Sequence, residues 1–176
     1  ITILHTPSPP WVVPPLSRGE LNDSQNIKMK IIKATLAELE QTAKLFDDYR
    51  VFYDQEPDIE GALKFINERM KNDESIIFIA LDDNNEGMGF TQLYPSFTSI
   101  GMKKMWILND LYVDIIHRHK KVAEGLIEKS KELVRETGAA GMVLETQNEN
   151  HPAQKLYFKT GWIKDDMHAN FFWKCD

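Results

Sequence analysis

The runs ILNDLYV at residues 107–113 and HRHKKVA at residues 117–123 decide the fold of this chain. Residues 106–113 are mostly apolar, β-branched or aromatic, with polar interruptions at Asn109 and Asp110, which predicts a buried strand. From Val122 the apolar residues recur at helical spacing, and Gly138 and Gly141 mark the end of that helix. The sequence therefore predicts a strand, a tight turn and a helix in direct succession.

The turn between this strand and this helix is strongly basic. It carries His117, Arg118, His119, Lys120 and Lys121. The first amide groups of a helix have no intrahelical acceptor and carry a positive partial charge, so a helix that begins at such a turn can bind a phosphate. The alternative is a solvated basic patch over a helix start, and the turn alone does not separate the two interpretations.

Three ordered segments of the chain resemble the cofactor-binding half of the GNAT acetyltransferase superfamily. Members of that superfamily show LxDLYV, then an RxxGxG or RxxGxA turn, and further along NxxAxxLYxxxGF. The first motif is matched by Leu108 and residues 110–113, and the third by Asn150, Ala153, Leu156, Tyr157, Gly161 and the aromatic Trp162. The turn matches at Arg118 and Ala123, but Lys121 stands where a glycine is usual.

This resemblance implies an α/β chain with the GNAT fold, a central mixed, mostly antiparallel sheet flanked by helices. It also implies an N-acetyltransferase (an acyltransferase) of the small-molecule amine branch, with acetyl-CoA as co-substrate and a homodimer as the assembly. The cofactor-binding residues implied by position are Leu111, Tyr112, Val113, Arg118, His119, Lys120, Lys121, Val122, Ala123, Asn150 and Ala153.

The same resemblance assigns two catalytic roles. The backbone amide of Val113 would polarise the thioester carbonyl, and Tyr157 would protonate the departing sulfur of coenzyme A. The alternative for Tyr157 is a core tyrosine on an amphipathic helix, with Leu156 and Phe158 packing inward. The intact spacing from Asn150 favours the catalytic role.

The general base stays open at this stage. Many relatives carry a glutamate just before the aspartate of the strand, whereas this chain has Asn109, which can orient an amine or a water but cannot accept a proton. The remaining candidates are Asp110, Glu145 on the predicted next strand MVLET at residues 142–146, and a chain of waters. Strand alternation places Asn109 and Asp110 on opposite faces, so Asp110 is also a candidate for a buried structural carboxylate.

Lysine at position 121 affects the expected path of the turn. A glycine there would let the backbone approach a pyrophosphate without an intervening Cβ. Lys121 is expected to follow the same path only with a negative φ, and with its side chain turned away from the phosphates or bound to them. The sequence leaves open whether affinity for coenzyme A is weakened, kept or gained.

The segment at residues 47–60 interleaves carboxylates with aromatic side chains. Its carboxylates are Asp47, Asp48, Asp54, Glu56, Asp58 and Glu60, its aromatic residues are Tyr49, Phe52 and Tyr53, and Arg50 is its one cation. This composition suits a cationic amine through ion pairing and cation–π attraction, and in the GNAT family this link forms part of the acceptor site. The alternative is a solvated acidic helix end. The predicted substrate-binding residues are Tyr49, Tyr53, Asp54, Asn109 and Glu145.

Composition sets the remaining limits. The chain has 176 residues, of which 42% are hydrophobic and 27% charged, as expected for one soluble domain. A net charge of −6 disfavours nucleic acid as a partner, and no apolar run approaches the roughly 20 residues of a membrane helix. The lone Cys175 excludes an intrachain disulfide and fits a cytoplasmic location, and the five histidines lack the spacing of metal ligands.

Two regions are predicted along the chain. Residues 1–28, with five of the eight prolines in PSPPWVVPP at 7–15, are predicted to be an N-terminal extension or arm, and residues 29–176 form the acetyltransferase-like domain. In that domain a capping box at Thr35 and Glu38 begins the first helix, and Pro57 opens the second. Three antiparallel strands follow, then a helix, a strand, a helix and a final strand pair near residues 162–174.

Two functions remain open at the level of sequence. The first is transfer of acetyl from acetyl-CoA to the primary amine of a small, cationic substrate, by direct attack in a ternary complex. The second is a catalytically idle acyl-CoA-binding or interaction domain on the same fold, which Lys121 and Asn109 suggest.

Overall fold

One five-stranded sheet forms the centre of the protein. The computed structural model describes residues 29–175, so the predicted extension at residues 1–28 lies outside the described residues. The strands β1 (Lys30–Lys33), β2 (Ile76–Leu81), β3 (Gly87–Thr98), β4 (Lys103–Val113) and β5 (Met142–Val143) lie side by side in chain order. The first four are antiparallel and β5 is parallel to β4, which confirms the predicted mixed, mostly antiparallel sheet.

Helices cover both faces of this sheet. They are α1 (Leu39–Phe52), α2 (Ile59–Lys71), α3 (Val122–Glu136) and α4 (His151–Lys159). Helices α1 and α2 pack on one face, where Ile66 meets Ile79 and Phe90 in one apolar cluster. Helix α3 packs on the opposite face, where Leu126 meets Phe78 in a second cluster. Because successive side chains of β2 point to opposite faces and both faces are buried, its sequence is a continuous apolar run.

The starts of the first two helices follow local capping rules. The Thr35 amide donates to Glu38 Oε2 at 2.9 Å, which confirms the capping box, and a short 3-10 turn at Leu36–Glu38 precedes α1. At α2 the carboxylate of Asp58 accepts a hydrogen bond from the Gly61 amide at 2.9 Å. A Cβ at Gly61 would lie 2.1 Å from Asp58 Oδ2, so a larger residue here would force the capping carboxylate to move.

A β-bulge interrupts the β3–β4 hairpin. Leu93 pairs with Leu108 and Gln92 pairs with Asp110, so Asn109 is the extra residue on β4. Simple alternation would put Leu108 and Asp110 on one face, but the bulge turns Leu108 towards the α3 side and Asp110 towards the α1 side. The bulge therefore brings a carboxylate to the face where α1 carries its tyrosines.

The sheet opens between β4 and β5. These strands pair only at Trp106 with Met142 and at Ile107 with Val143, so β5 is two residues long rather than the predicted five. Beyond Ile107, β4 runs on to Val113 with β3 as its one strand partner among the described residues. The backbone edge of β4 at residues 108–113 is thus left open on the β5 side.

The predicted final strand pair is wrong. Residues 162–175 form neither helix nor strand, because their backbone joins no ladder within the described part of the chain, and a strand needs a hydrogen-bonded neighbour. In the separate segment at residues 164–175, Asp165 accepts from the Met167 amide at 2.8 Å, and Phe171 is 95% exposed. No helix within residues 29–175 is both long enough and apolar enough to cross a membrane.

Candidate active site

A cluster of aromatic rings lies where the end of α1 meets the end of β4. Tyr49 near the end of α1 and Tyr53 directly after that helix lie on one side, with ring centroids 5.0 Å apart. The Tyr49 ring lies 6.2 Å from that of Tyr112 on β4, and Phe52 lies 6.4 Å from Tyr112. The predicted substrate-binding residues Tyr49 and Tyr53 are therefore neighbours. Tyr112, predicted from the resemblance to bind the cofactor, has its side chain in this cluster.

A buried carboxylate adjoins these rings. Asp110 is 3% exposed, and it accepts hydrogen bonds from Gln92 Nε2 at 3.0 Å and from Asn109 Nδ2 at 3.1 Å. Burial raises the pKa of Asp110 above its ordinary value, while the hydrogen bonds from Asn109, Gln92 and Tyr49 oppose that rise. Asn109, predicted to contact the substrate, is thus a donor to Asp110.

The phenols around this carboxylate are held in the protonated form. Burial raises the pKa of Tyr49 and of Tyr53, and the negative charge of Asp110 adds to both shifts. Burial and the same charge raise the pKa of Tyr94 on β3 to about 12. At neutral pH these side chains are therefore hydrogen-bond donors next to a basic carboxylate.

Tyr157 reaches the same cluster from α4. Its burial raises its pKa to about 12, and the neighbouring Tyr53 contributes to that shift. Its ring packs edge-on against Trp162 with centroids 5.9 Å apart. Phe158, which the core-tyrosine alternative requires to pack inward, is 56% exposed. The structure thus brings Tyr157, Tyr53 and Asp110 together, although they are far apart in sequence.

The basic turn before α3 has an unusual backbone. Lys121 is the residue before the first helical one and has φ 63° in the left-handed region, so the expectation of a negative φ is wrong. His119 also has a positive φ of 62°. The first intrahelical bond runs from the Gly125 amide to the Lys121 carbonyl at 3.0 Å, so the amides of Val122 and Ala123 have no acceptor in the helix. The glycine-like path is therefore kept by a lysine.

Arg118 connects this turn to the other parts of the site. Its Nε donates to the Val113 carbonyl at 3.2 Å, and its guanidinium carbon lies 5.3 Å from the centre of the Phe52 ring. A guanidinium has five N–H donors, of which this bond uses one. The turn, the end of β4 and the end of α1 are thus held together by one side chain.

Half of the acidic run after residue 46 has structural partners. Asp47 accepts from Arg50 at 2.8 Å and from the Asp58 amide at 3.0 Å, which fixes the link between α1 and α2. Asp48 pairs with Lys44 at 3.0 Å, and Asp58 caps α2. These three acids therefore have structural partners that neither interpretation of the sequence predicted, and Asp54, Glu56 and Glu60 are exposed, as is Asp58.

The remaining predicted residues lie in three places. Asn150 caps α4, accepting from the Ala153 amide at 3.2 Å, so two residues predicted to bind the cofactor bond to each other. Leu111 packs on the α3 face of the sheet. Glu145 is exposed and lies two residues beyond β5. Among residues 29–175, no group of three His, Cys, Asp or Glu side chains is arranged to hold a metal ion.

Sequence reasoning missed Gln92 and Tyr94 on β3. Gln92 Nε2 donates to Tyr94 Oη at 2.6 Å as well as to Asp110. The available signal was a glutamine between apolar and aromatic residues of a predicted strand, because a polar side chain at a buried position needs hydrogen-bond partners.

The left-handed Lys121 gives a first testable prediction. Lys121→Gly removes a strain of about 1–2 kcal/mol, so we expect a Tm higher by roughly 2–8 °C in thermal unfolding. Lys120→Gly is the matched control, because it removes the same charge at an exposed neighbour without a positive φ, and its Tm should fall. Both variants should alter the Kd of coenzyme A in titration calorimetry. A Tm change of the same sign in both would contradict the assigned strain.

Comparison with known proteins identifies the family. A family profile described as the Acetyltransferase (GNAT) family matches residues 38–162. An uncharacterised N-acetyltransferase of Bacillus subtilis (strain 168) is 41% identical over 144 residues, covering 81% of this chain and 95% of that protein. A probable acetyltransferase of Haemophilus influenzae is 33% identical over 132 residues, covering 74% of this chain and 90% of that protein.

Solved structures agree with this assignment. The crystal structure of a probable acetyltransferase has a TM-score of 0.80 at 39% identity, covering 84% of this chain and 98% of that one. An aminoglycoside N-acetyltransferase in complex with CoA has a TM-score of 0.71 at 19% identity, covering 88% of this chain and 100% of that one, which shows a common fold. The chain therefore belongs to the acetyltransferase (GNAT) family and is an acetyl-CoA-dependent N-acetyltransferase.

Proposed function

We propose that this enzyme transfers acetyl to the primary amine of a small, cationic substrate by direct attack in a ternary complex. The observation that carries the proposal is the opening between β4 and β5. Strand pairing ends at Ile107 and Val143. The end of β4 past this point adjoins the basic turn on one side and the tyrosine–carboxylate cluster on the other. The acetyl donor and the amine that accepts the acetyl group can therefore meet at the same end of β4.

The proposed site for acetyl-CoA, the acetyl donor, consists of backbone amides and positively charged side chains. The pyrophosphate of acetyl-CoA would bind the basic turn, where His119, Lys120 and Lys121 precede the amides of Val122 and Ala123. Both chemical features of an anion site are present there, since unpaired helix amides and cationic side chains coincide. Bound in this way, acetyl-CoA would supply a thioester carbonyl that an amine can attack.

We assign the polarisation of that carbonyl to the backbone amide of Val113. The next amide, of Asp114, donates across the hairpin to the Met88 carbonyl at 3.0 Å. In an antiparallel ladder the amides of successive residues point to opposite edges, so the Val113 amide is directed to the open edge of β4. An amide on that edge can donate to an oxygen that gains negative charge.

Proton transfer is assigned to the cluster. Tyr157 donates its phenolic proton to the departing sulfur, for which its protonated state at neutral pH is suited. Asp110 is the proton acceptor for the attacking amine, directly or through Tyr49, because burial makes its carboxylate more basic. Glu145 is the less favoured base, since it is exposed beyond β5.

The proposed site for the amine substrate favours a positively charged molecule. The rings of Tyr49 and Tyr53 stand near the carboxylate of Asp110, Phe52 packs against Tyr53, and Asp54 lies exposed just after them. Aromatic faces and carboxylates attract ammonium groups, and two proteins of the same fold are named as aminoglycoside acetyltransferases. A second cationic group on the substrate would therefore add to binding at the rim.

A panel of amines tests the proposal. The purified chain is incubated with acetyl-CoA and polyamines, aminoglycosides, amino acids or neutral alkylamines, and thiol release and product mass are measured. We expect kcat/KM to be highest for primary amines that carry a second positive charge. Fully N-methylated forms of the same compounds are the control and should give no thiol release above background. Preference for neutral amines, or no transfer by protein that binds coenzyme A, would refute the proposed substrate class.

A further inference from the structure

Gln92 has every polar atom of its side chain engaged in one buried network. It is 0% exposed and lies on β3 directly opposite Asp110. Ser75 Oγ donates to Gln92 Oε1 at 3.3 Å, while Nε2 donates to Tyr94 Oη at 2.6 Å and to Asp110 Oδ2 at 3.0 Å. A glutamine amide offers two N–H donors and a carbonyl acceptor, so its hydrogen-bonding capacity is matched on both sides.

The orientation of this amide depends on the charge of Asp110. With Nε2 towards Asp110 Oδ2, a donor meets an anionic acceptor, and Asn109 Nδ2 supplies a second donor to Oδ1. The reverse orientation would place Gln92 Oε1 against Oδ2, which is favourable only when Asp110 carries a proton. The observed arrangement of Gln92 and Asn109 therefore favours the carboxylate over the carboxylic acid.

Burial opposes the charge of Asp110, and the hydrogen bond from Tyr49 joins those from Gln92 and Asn109 in favouring it. Burial raises its pKa, and the groups that face it from the packed elements are phenols: Tyr49 and Tyr53 from the end of α1 and Tyr94 from β3. The charges of Arg69 and Glu74 act on Tyr94 with opposite signs. A carboxyl group that is too strongly buried would hold its proton at neutral pH and could not accept another. Donors on the carboxylate are thus needed to keep it functional.

We propose that Gln92 is a positioning residue that keeps the Asp110 carboxylate ionised and directed towards the tyrosine cluster during acetyl transfer. Gln92 does not touch the substrate and acts only through Asp110. The bulge at Asn109 is part of the same device, because it aligns Gln92 with Asp110 in the ladder. This inference rests on the proposed function, in which Asp110 accepts the proton of the amine.

The test is the pH dependence of kcat/KM in Gln92→Met. Methionine keeps the volume and apolar packing of the position but donates no hydrogen bond to Asp110. Loss of one donor to a charged group should move the acid limb of the profile to higher pH by about one unit, with kcat reduced more than KM is raised. Gln92→Glu should move the limb in the same direction, because two adjacent carboxyl groups resist ionising together.

Tyr94→Phe is the matched control. This variant removes the Tyr94 hydroxyl that accepts from Gln92 Nε2 but keeps the hydrogen bond from Gln92 to Asp110. The acid limb of kcat/KM should therefore stay within a few tenths of a pH unit. A purely structural role for Gln92 predicts a lower Tm and lower activity with an unmoved limb. An unmoved limb in folded Gln92→Met or Gln92→Glu would therefore overturn the inference.

A measurement on the unaltered protein covers the case in which neither variant folds. The side-chain amide resonances of Gln92, followed by ¹⁵N–¹H NMR, should titrate with the same midpoint as the acid limb of kcat/KM. Amide resonances that do not change with pH would overturn the inference. If no amine in the panel is acetylated, the proposed function fails, while the NMR titration still reports whether Gln92 follows the charge of Asp110.

Discussion

Tyr157→Phe is expected to lower kcat by about 10²–10⁴-fold while the Kd of coenzyme A stays nearly unchanged. The variant keeps the aromatic ring packed against Trp162 and removes the phenolic oxygen that faces the tyrosine cluster. If Tyr157 donates to the departing sulfur, the loss falls on the chemical step and not on cofactor binding. Steady-state assays and titration calorimetry on the same preparation measure the two quantities.

Trp162→Phe is the control for this variant, because it changes the ring beside Tyr157 and spares the hydroxyl group. Its kcat should fall by less than about tenfold, as expected for a packing change that leaves the proton donor in place. Equal losses in the two variants would assign the effect of Tyr157→Phe to packing. Parallel losses of kcat and cofactor affinity would also exclude an acid role for Tyr157.

Features that depend on nearby residues were predicted well from the sequence. The capping box at Thr35, the hairpin of β2 and β3, and the helix from Val122 all follow from local periodicity and turn chemistry. The order of these elements predicts a mixed α/β fold with one central sheet, and the resemblance of three ordered motifs predicts the family. The roles of the individual site residues stay predictions, because a motif does not report which partner a side chain meets.

Features that depend on contacts with a neighbouring strand or helix cannot be predicted from local sequence patterns. The bulge at Asn109 exists only in the pairing of β4 with β3, so alternation along β4 alone could not indicate it. The positive φ of Lys121 contradicts the usual preference of lysine, and the surrounding turn imposes it. The structural role of Asp47 likewise depends on Arg50 and the start of α2, which a count of charges cannot reveal.

Asp110→Asn is expected to abolish most of the activity and to stabilise the fold at neutral pH. As the proton acceptor, Asp110 should contribute about 10²–10⁴-fold to kcat, and asparagine cannot accept a proton. The stability effect has the opposite sign because burial raises the pKa of Asp110 in the folded state. An unfolded chain releases that proton at lower pH, so the free energy of unfolding falls as pH rises from the unfolded pKa through the folded one. Asparagine does not ionise, so the free energy of unfolding of Asp110→Asn should not fall over this pH range.

Thermal unfolding between pH 3 and pH 8 separates the two effects. Above the folded pKa the Tm of Asp110→Asn should exceed that of the unaltered protein, and the difference should vanish at the lowest pH, where Asp110 is protonated in both states. Asp47→Asn is the matched control at a second buried carboxylate, and there the Tm at neutral pH should fall because the ion pair with Arg50 is lost. A Tm of Asp110→Asn below that of the unaltered protein at neutral pH would mean that the hydrogen bonds from Gln92 and Asn109 outweigh the cost of burial. In that case the carboxylate would be a stabilising structural group, and retained activity in the same variant would transfer the role of base to Glu145 or to water.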